Sequence, residues 1–322
     1  MLISKEISLQ DVSPLDRLAY IGSNGMGALI YRPKTDLVHL HKNKIDLDEI
    51  ANQTNEVLKG NTRDVIDKLY NLGGSSGGAR PKIFVGYNPN TDQLIPEKEI
   101  LPEDYEHWII KFPSAIDFHD IANIEYAYYK MALDSGIEMS TCKLFKGHSG
   151  KRYFGTKRFD RIGNKRLHMH SASGLLHDDF RLSNMDYGHL MDCAFTLENS
   201  VKAYEKILRL AAFNVFAHNL DDHSKNFSFL MDARCKWKFA PAYDLTFSSS
   251  SFGWHSTMIA GESKTPTIKN LMELAEVFNV KNADKIIGHV KSVVSNWKLY
   301  AHENDVSKSS TQMINRVFKT LI

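Results

Sequence analysis

The chain has 322 residues, 43% of them hydrophobic and 24% charged, with a formal net charge of +2. That length supports one large core or two ordinary lobes, and the balance is that of a globular protein with no long basic run to mark a nucleic-acid binder. Cys142, Cys193 and Cys235 are scattered without CxxC spacing, which argues against a disulfide framework or a structural zinc site. No apolar run is long enough to span a bilayer, and the opening MLISKEISLQDVSP lacks the basic start and apolar core of a signal peptide. A reduced, cytoplasmic protein with no membrane contact is therefore expected.

In chain order, the first conspicuous feature is the small-residue cluster LGGSSGGARPK, Leu72 to Lys82. IFVGYN after it reads as a strand, NPNTDQ as a turn, and EHWIIKFP as a second strand ended by Pro113. Helical spacing of Ile121, Ile124, Tyr128 and Met131 predicts a helix that closes on Gly136. RYFGTKRFDR and KRLHMHSAS flank the turn IGN and predict a hairpin. From about Met185 the character changes. VKAYEKILRLAAFNVFAHNL reads as a helix with Leu208, Ala211, Ala212 and Val215 on one face, and FSFLMD and WKFAPA as a strand pair joined through ARC. Beyond Pro266, TIKNLMELAEVF, NADKIIGHVKSVVSNWKLYAH and STQMINRVFKTL predict three helices. The expectation is an α+β chain, strand-rich in its first half and mainly helical in its second.

The densest chemistry lies between that long helix and the strand pair, in HNLDDHSKNFSF. Asp221 and Asn226 are five residues apart, and Asp244 follows one hairpin later. Phosphoryl-transfer enzymes of the protein-kinase type use this spacing: the first Asp accepts the substrate hydroxyl proton, while the Asn oxygen and the later Asp hold Mg²⁺. Mg²⁺ takes hard oxygen ligands, few from protein and the rest from phosphate and water. Lys225 could offset phosphate charge, and His223 could brace the loop or approach a nucleotide. Single DD or DxxH fragments are ordinarily turn formers, so the weight rests on the joint pattern.

Two first-half features belong with it. GGSSGGARPK can bring backbone N–H groups close to phosphate because glycine has no Cβ, although it is neither a Walker A loop nor GxGxxG. Lys111 is the only lysine in the apolar WIIKFP strand, where its ammonium needs a partner or water. An ATP phosphate, Glu125 on the next helix, or solvent at a sheet edge would each serve. A separate cluster, His168, His170 and His177 with Asp178 and Asp179, raises the alternative of a metal-dependent hydrolase, a polar network or a protein-substrate surface. A kinase fold that binds without turnover is the other alternative.

With these pieces in order, the chain resembles the HipA family of serine/threonine kinase toxins from bacterial type II toxin–antitoxin systems. The resemblance runs from SPLDRLAYIGSNGMGALIY to APAYDLTFS, with SSGGARPK, IIKFP, RFDR, HMHSASGLLHDDFR and DDHSKNFSF as its most specific parts. It implies a two-lobed protein-kinase-like fold, with an N-lobe over 1–160 and a mainly helical C-lobe over 161–322, the nucleotide between lobes. It makes Asp221 the catalytic base, and Asn226 and Asp244 the Mg²⁺ ligands. Gly77, Gly78, Ala79, Arg80 and Lys82 in the glycine-rich loop, Lys111, Lys225, His223 and Tyr243 would face ATP. Lys157, Arg158 and Phe159 fall at the hinge, where backbone groups hold adenine and Phe159 packs near the base.

Ser75, or its neighbour Ser76, matches the serine whose autophosphorylation inhibits family kinases by adding charge where ATP must bind. The implied substrate is a serine of an aminoacyl-tRNA synthetase, tryptophanyl or glutamyl, whose phosphorylation inhibits translation. The implied partners are a HipB-like helix-turn-helix antitoxin, through which DNA contact is mainly made, and a small HipS-like accessory protein. The family motifs begin almost at the N-terminus, and GGARPK and HMHSASGLLHDDFR suit HipT, the short kinase of HipBST systems.

Overall fold

The computed structural model describes residues 13–33, 45–58, 80–114, 117–248 and 253–321. The chain divides into two compact units, one made of Met1–Ala122 with Thr141–His168 and the other of Asn123–Ser140 with Met169–Ile322. The helix expected at 121–136 thus falls almost entirely in the second unit.

The first unit is built on a five-stranded antiparallel sheet of order β2-β1-β3-β5-β4. Its strands are β1 (Lys82–Asn88), β2 (Gln93–Pro96), β3 (Glu106–Lys111), β4 (Cys142–Lys146) and β5 (Arg152–Lys157). β1 is buried along nearly its whole length, which explains why its sequence is an unbroken apolar run and not an alternating one. Tyr87, Trp108 and Phe145 meet edge to face with ring centroids 5.0–5.5 Å apart. Gly155 lies under this cluster, where a Cβ would stand 2.3 Å from the Phe145 ring. Two helices precede the sheet, α1 (Pro14–Ile21) and α2 (Leu47–Leu58). Leu47, Ile50 and Ala51 of α2 join the sheet core, each large apolar side chain contributing about 1.5–3 kcal/mol on burial. Asp48 of α2 is tied by the Ser149 backbone N–H at 2.6 Å, the Ser149 hydroxyl at 2.8 Å and the Tyr153 hydroxyl at 2.7 Å.

The second unit holds α3 (Ile121–Asp134), α4 (Ala172–Leu175), α5 (Tyr187–Glu198), α6 (Lys202–Phe216) and a C-terminal group, α7 (Ile268–Val277), α8 (Ala283–Ser295), α9 (Trp297–Glu303) and α10 (Lys308–Leu321). A small sheet of order β10-β9-β8 accompanies them, from β8 (His168–Ser171), β9 (Ser228–Met231) and β10 (Trp237–Phe239). α6 is the axis of this unit and is buried from Leu210 to Phe216. Tyr128 of α3 packs against Phe213, Trp297 and Phe318, and its hydroxyl donates to the Ala217 carbonyl at 2.6 Å. That bond pins the end of α6 directly ahead of the acid-rich loop. Among the described residues, no helix is long and apolar enough to cross a membrane.

The structure corrects three expectations. RYFGTK is a strand of the main sheet, paired with β3 and β4, and the hairpin around IGN is confined to β6 (Arg161–Ile162) and β7 (Lys165–Arg166). NPNTDQ contains the start of the edge strand β2 as well as a turn. The predicted helix over NADKIIGHVKSVVSNWKLYAH breaks at Asn296, whose amide donates to the Ser292 carbonyl at 3.0 Å while Ser295 donates to Lys291 at 2.7 Å. Such side-chain bonds compete with continued backbone pairing.

Candidate active site

After α6 the chain turns at His218, in the left-handed region at φ 50, and passes through Asp221 and Asp222 without regular secondary structure. The side chain of Asp221 is 60% exposed, whereas that of Asp222 is fully buried. A 3-10 turn, Ser224–Asn226, then leads into β9.

Within this loop the polar groups are ordered by one another. The His223 Nε2 stands 3.7 Å from Asp221 Oδ1, and its Nδ1 is buried with no hydrogen-bond partner among the described residues. The Asn226 amide donates to the Asp221 carbonyl at 2.7 Å, which aims the nitrogen inward and leaves the side-chain oxygen to act as a ligand. Tyr243 donates its hydroxyl proton to the Lys225 carbonyl at 2.6 Å, so the Ser228 hydroxyl, 2.6 Å away, is the donor to Tyr243. Burial holds the phenol above its ordinary range. Asp244, the next residue, is half-buried and sits at φ 56, a conformation Asp tolerates better than most and one that concentrates at functional sites. The Lys225 ammonium lies 3.7 Å from the Phe180 ring centroid, and desolvation, followed by the nearby Arg181, lowers its pKa.

The predicted nucleotide residues of the first unit divide into two groups. Lys111 ends β3 at 9% exposure, its ammonium 5.3 Å from the Phe154 ring centroid, and Lys82 is its cross-strand partner in register. The other basic side chains are engaged with carboxylates. Arg80 grips Asp117 through Nε at 2.9 Å and Nη2 at 2.8 Å, and Lys157 reaches Glu106 at 2.6 Å. Arg158 is buried against Asp160 and Glu97, with its guanidinium 4.4 Å from the Phe84 ring centroid. Phe159 is half-buried in the following turn. Gly77, Gly78, Ala79, Ser75 and Ser76 lie outside the described residues.

Among the described residues, no group of three or more His, Cys, Asp or Glu is placed to hold a metal ion. That includes the cluster around His168, His170 and His177. Asp178 works instead inside the loop's framework: it accepts from the Ser224 hydroxyl, and from Ser183 at 3.0 Å. Phe180 packs edge-on against His223 at 5.4 Å. Sequence reading offered a polar network for this cluster, but not Ser183 and Ser224 as its partners.

The model of the HipA-like C-terminal domain family matches residues 74–297, more than half of the chain. The chain belongs to the HipA-like C-terminal domain family. A chain of the Shewanella oneidensis MR-1 toxin–antitoxin complex of HipA, HipB and its operator DNA superposes with a TM-score of 0.67 at 17% identity, over 99% of this chain and 79% of that one. The proinflammatory kinase CtkA of Helicobacter pylori aligns with a TM-score of 0.43 at 14% identity, over 76% of this chain and 90% of the other. Comparison with curated protein sequences finds no match. The HipA-like likeness shows the fold to be the expected α+β, two-lobed, protein-kinase-like one.

Proposed function

We propose that this HipA-family chain is an ATP-dependent serine/threonine-protein kinase acting as the toxin of a type II toxin–antitoxin system. The observation that carries the reading is the joint state of three oxygen-bearing side chains, two in the loop before β9 and one just after β10. Asp221 is exposed, Asn226 commits its nitrogen to the Asp221 carbonyl, and Asp244 is held at a left-handed backbone position behind Tyr243. Asp221 takes the proton of a substrate serine as its oxygen attacks the γ-phosphorus of ATP and the bond to the ADP oxygen breaks. The Asn226 oxygen and the Asp244 carboxylate are the hard donors Mg²⁺ requires, and they are the residues that would hold it. The bound ion would offset charge on the phosphate oxygens. In the first unit Lys111, a nearly buried cation at a strand end, would meet ATP phosphate, and in the second His223 and Lys225 would offer nitrogen groups to nucleotide.

The finer reading follows the family. The substrate is a serine of an aminoacyl-tRNA synthetase, tryptophanyl or glutamyl, whose modification inhibits translation, and Ser75 or Ser76 is the autophosphorylation site that shuts the kinase down. The Shewanella complex contains HipB and operator DNA, which supports a HipB-like antitoxin as partner. GGARPK and HMHSASGLLHDDFR support the HipT branch, with a HipS-like accessory protein and a cytoplasmic site of action.

The test is transfer of label from γ-labelled ATP by purified protein with Mg²⁺, together with phosphoproteomics after brief induction of wild type and Asp221→Ala. Wild type should label itself and raise phosphoserine on one synthetase, and Asp221→Ala should do neither. A wild-type protein that binds ATP but transfers no phosphate to itself or to any lysate protein would leave a binding module in place of the kinase.

A further inference from the structure

Asp222, next to the proposed base, is fully buried, and its carboxylate collects four protein donors. Oδ2 accepts from the Tyr187 hydroxyl at 3.0 Å and from His255 Nδ1 at 2.9 Å. Oδ1 accepts from the backbone N–H groups of Ser256 at 2.8 Å and Thr257 at 3.2 Å. The same short segment grips the backbone on either side of Asp221. Thr257 donates its hydroxyl to the Asp222 carbonyl at 2.5 Å, and Ser256 reaches the Leu220 carbonyl through both its N–H and its hydroxyl at 3.1 Å.

A second path leaves from the amide of Asp221 itself. It donates to the Ser248 hydroxyl at 3.1 Å, and Ser248 donates to Asn219 Oδ1 at 2.9 Å. Asn219 Nδ2 donates to Asn214 Oδ1 at 3.0 Å, Asn214 Nδ2 to the Tyr187 hydroxyl at 2.8 Å, and Tyr187 to Asp222. Every donor in this chain runs the same way, from the Asp221 N–H to the Asp222 carboxylate. Hydrogen bonds aligned in this manner polarise one another, and the terminal anion fixes their direction. An apolar residue at 222 would deprive His255 Nδ1, the Thr257 N–H and the Tyr187 hydroxyl at the end of the chain of this acceptor.

We propose that Asp222 and His255 are positioning residues that latch Asp221 in the place phosphoryl transfer requires. This rests on the kinase reading and deepens it: the base depends on a segment more than thirty residues downstream for its position. The charge on Asp222 explains why two adjacent acids occur in DDHSKN. One faces solvent for chemistry, and the other faces inward to hold the first.

The experiment uses the full chain with His255→Ala, His255→Asn and Tyr187→Phe. Two measurements are made: steady-state phosphate transfer, and amide hydrogen exchange over Leu220–Asn226 with α8 as internal control. In His255→Ala, kcat should fall about 100-fold, the size associated with small misplacements of reacting groups. KM for ATP should stay within about 2-fold, because the latch touches no nucleotide. Exchange at Leu220–Asn226 should accelerate while α8 keeps its protection. Asn at 255 places an N–H near where Nδ1 stands and should recover most of both losses, whereas a general structural defect would not be rescued. Tyr187→Phe deletes one hydroxyl, keeps the ring, and should give the same signature if His255→Ala fails to fold. Unchanged exchange at the loop in both variants, or faster exchange with an unchanged kcat, overturns the proposal. Absence of transfer by wild type is a separate result that removes the kinase reading, and the exchange arm still decides the latch.

Discussion

The side-chain amide of Asn226 donates to the backbone carbonyl of Asp221 at 2.7 Å, so the proposed base and the proposed metal ligand share one hydrogen bond. Removing either should therefore have a separable outcome. Asp221→Ala deletes the proton acceptor and should lower kcat by about 10²–10⁴-fold, with Mg²⁺-dependent ATP binding retained. Asn226→Ala deletes a ligand oxygen and the loop tie together, so it should lower kcat and also raise the Mg²⁺ concentration needed for half-maximal rate. Initial-rate kinetics over a Mg²⁺ titration separate the two. Equal Mg²⁺ requirements in Asn226→Ala and wild type would remove Asn226 from the metal site.

Asp244 combines a carboxylate with a left-handed backbone, and these can be tested apart. Asn tolerates φ near 56 about as well as Asp, while Ala is strained there by roughly 1–2 kcal/mol. Asp244→Asn should keep the thermal midpoint of wild type and lose Mg²⁺-dependent nucleotide affinity. Asp244→Ala should lose both. Calorimetric titration of ATP with and without Mg²⁺, beside a melting curve for each variant, checks the pair.

Asp160 is the centre of a buried ion cluster, accepting from Arg158 Nε at 3.0 Å, Arg161 Nη1 at 2.6 Å and the Gly27 N–H at 2.7 Å. The two guanidinium groups and this N–H hold the carboxyl below its ordinary pKa against the opposing effect of burial. Asp160→Ala leaves two arginines buried together without their shared anion, which should cost about 3–5 kcal/mol. Urea unfolding of the whole protein should show that loss in the transition of the first unit. A change under 1 kcal/mol, on the order expected of an exposed ion pair, would mean that the cluster is open to water.

The parts of this molecule that were legible in sequence are those whose signal is local. Asp221, Asn226 and Asp244 stand out as candidates because helix, loop and hairpin fix their spacing along the chain, and α6 and the β9–β10 pair carry their own periodicity. The role of Asp222 was not legible, because Tyr187 and His255 lie 35 and 33 residues away and neither carries a motif. RYFGTK was assigned to the wrong partner because a turn suited to a hairpin follows it; it pairs instead with β4 just upstream and with the more distant β3. Arg80 shows a different limit. A basic residue in a glycine-rich loop reads as facing ATP, and only packing reveals that Asp117 already holds its guanidinium group.

His218 makes the stability of the second unit depend on pH in a defined window. Its ring lies 5.1 Å from that of Phe247, and burial, aided by the neighbouring His255, pushes its pKa down from 6.5 to about 4. An imidazole in the unfolded chain takes a proton near pH 6.5. Between these two values the unfolded state binds a proton that the folded state refuses, so stability rises with pH. The contribution of His218 is thus complete above about pH 6.5, declines as pH falls towards 4, and levels off below. Carboxylates held below their ordinary pKa, such as Asp117 and Asp160, act in a lower range, near and beneath 3.8. His218→Asn keeps a residue that accepts φ 50 and removes the titrating ring. Denaturation midpoints measured at steps between pH 7 and 4.5 should fall steadily for wild type and less steeply for His218→Asn. Parallel slopes for the two proteins would show that His218 titrates alike in the folded and unfolded states.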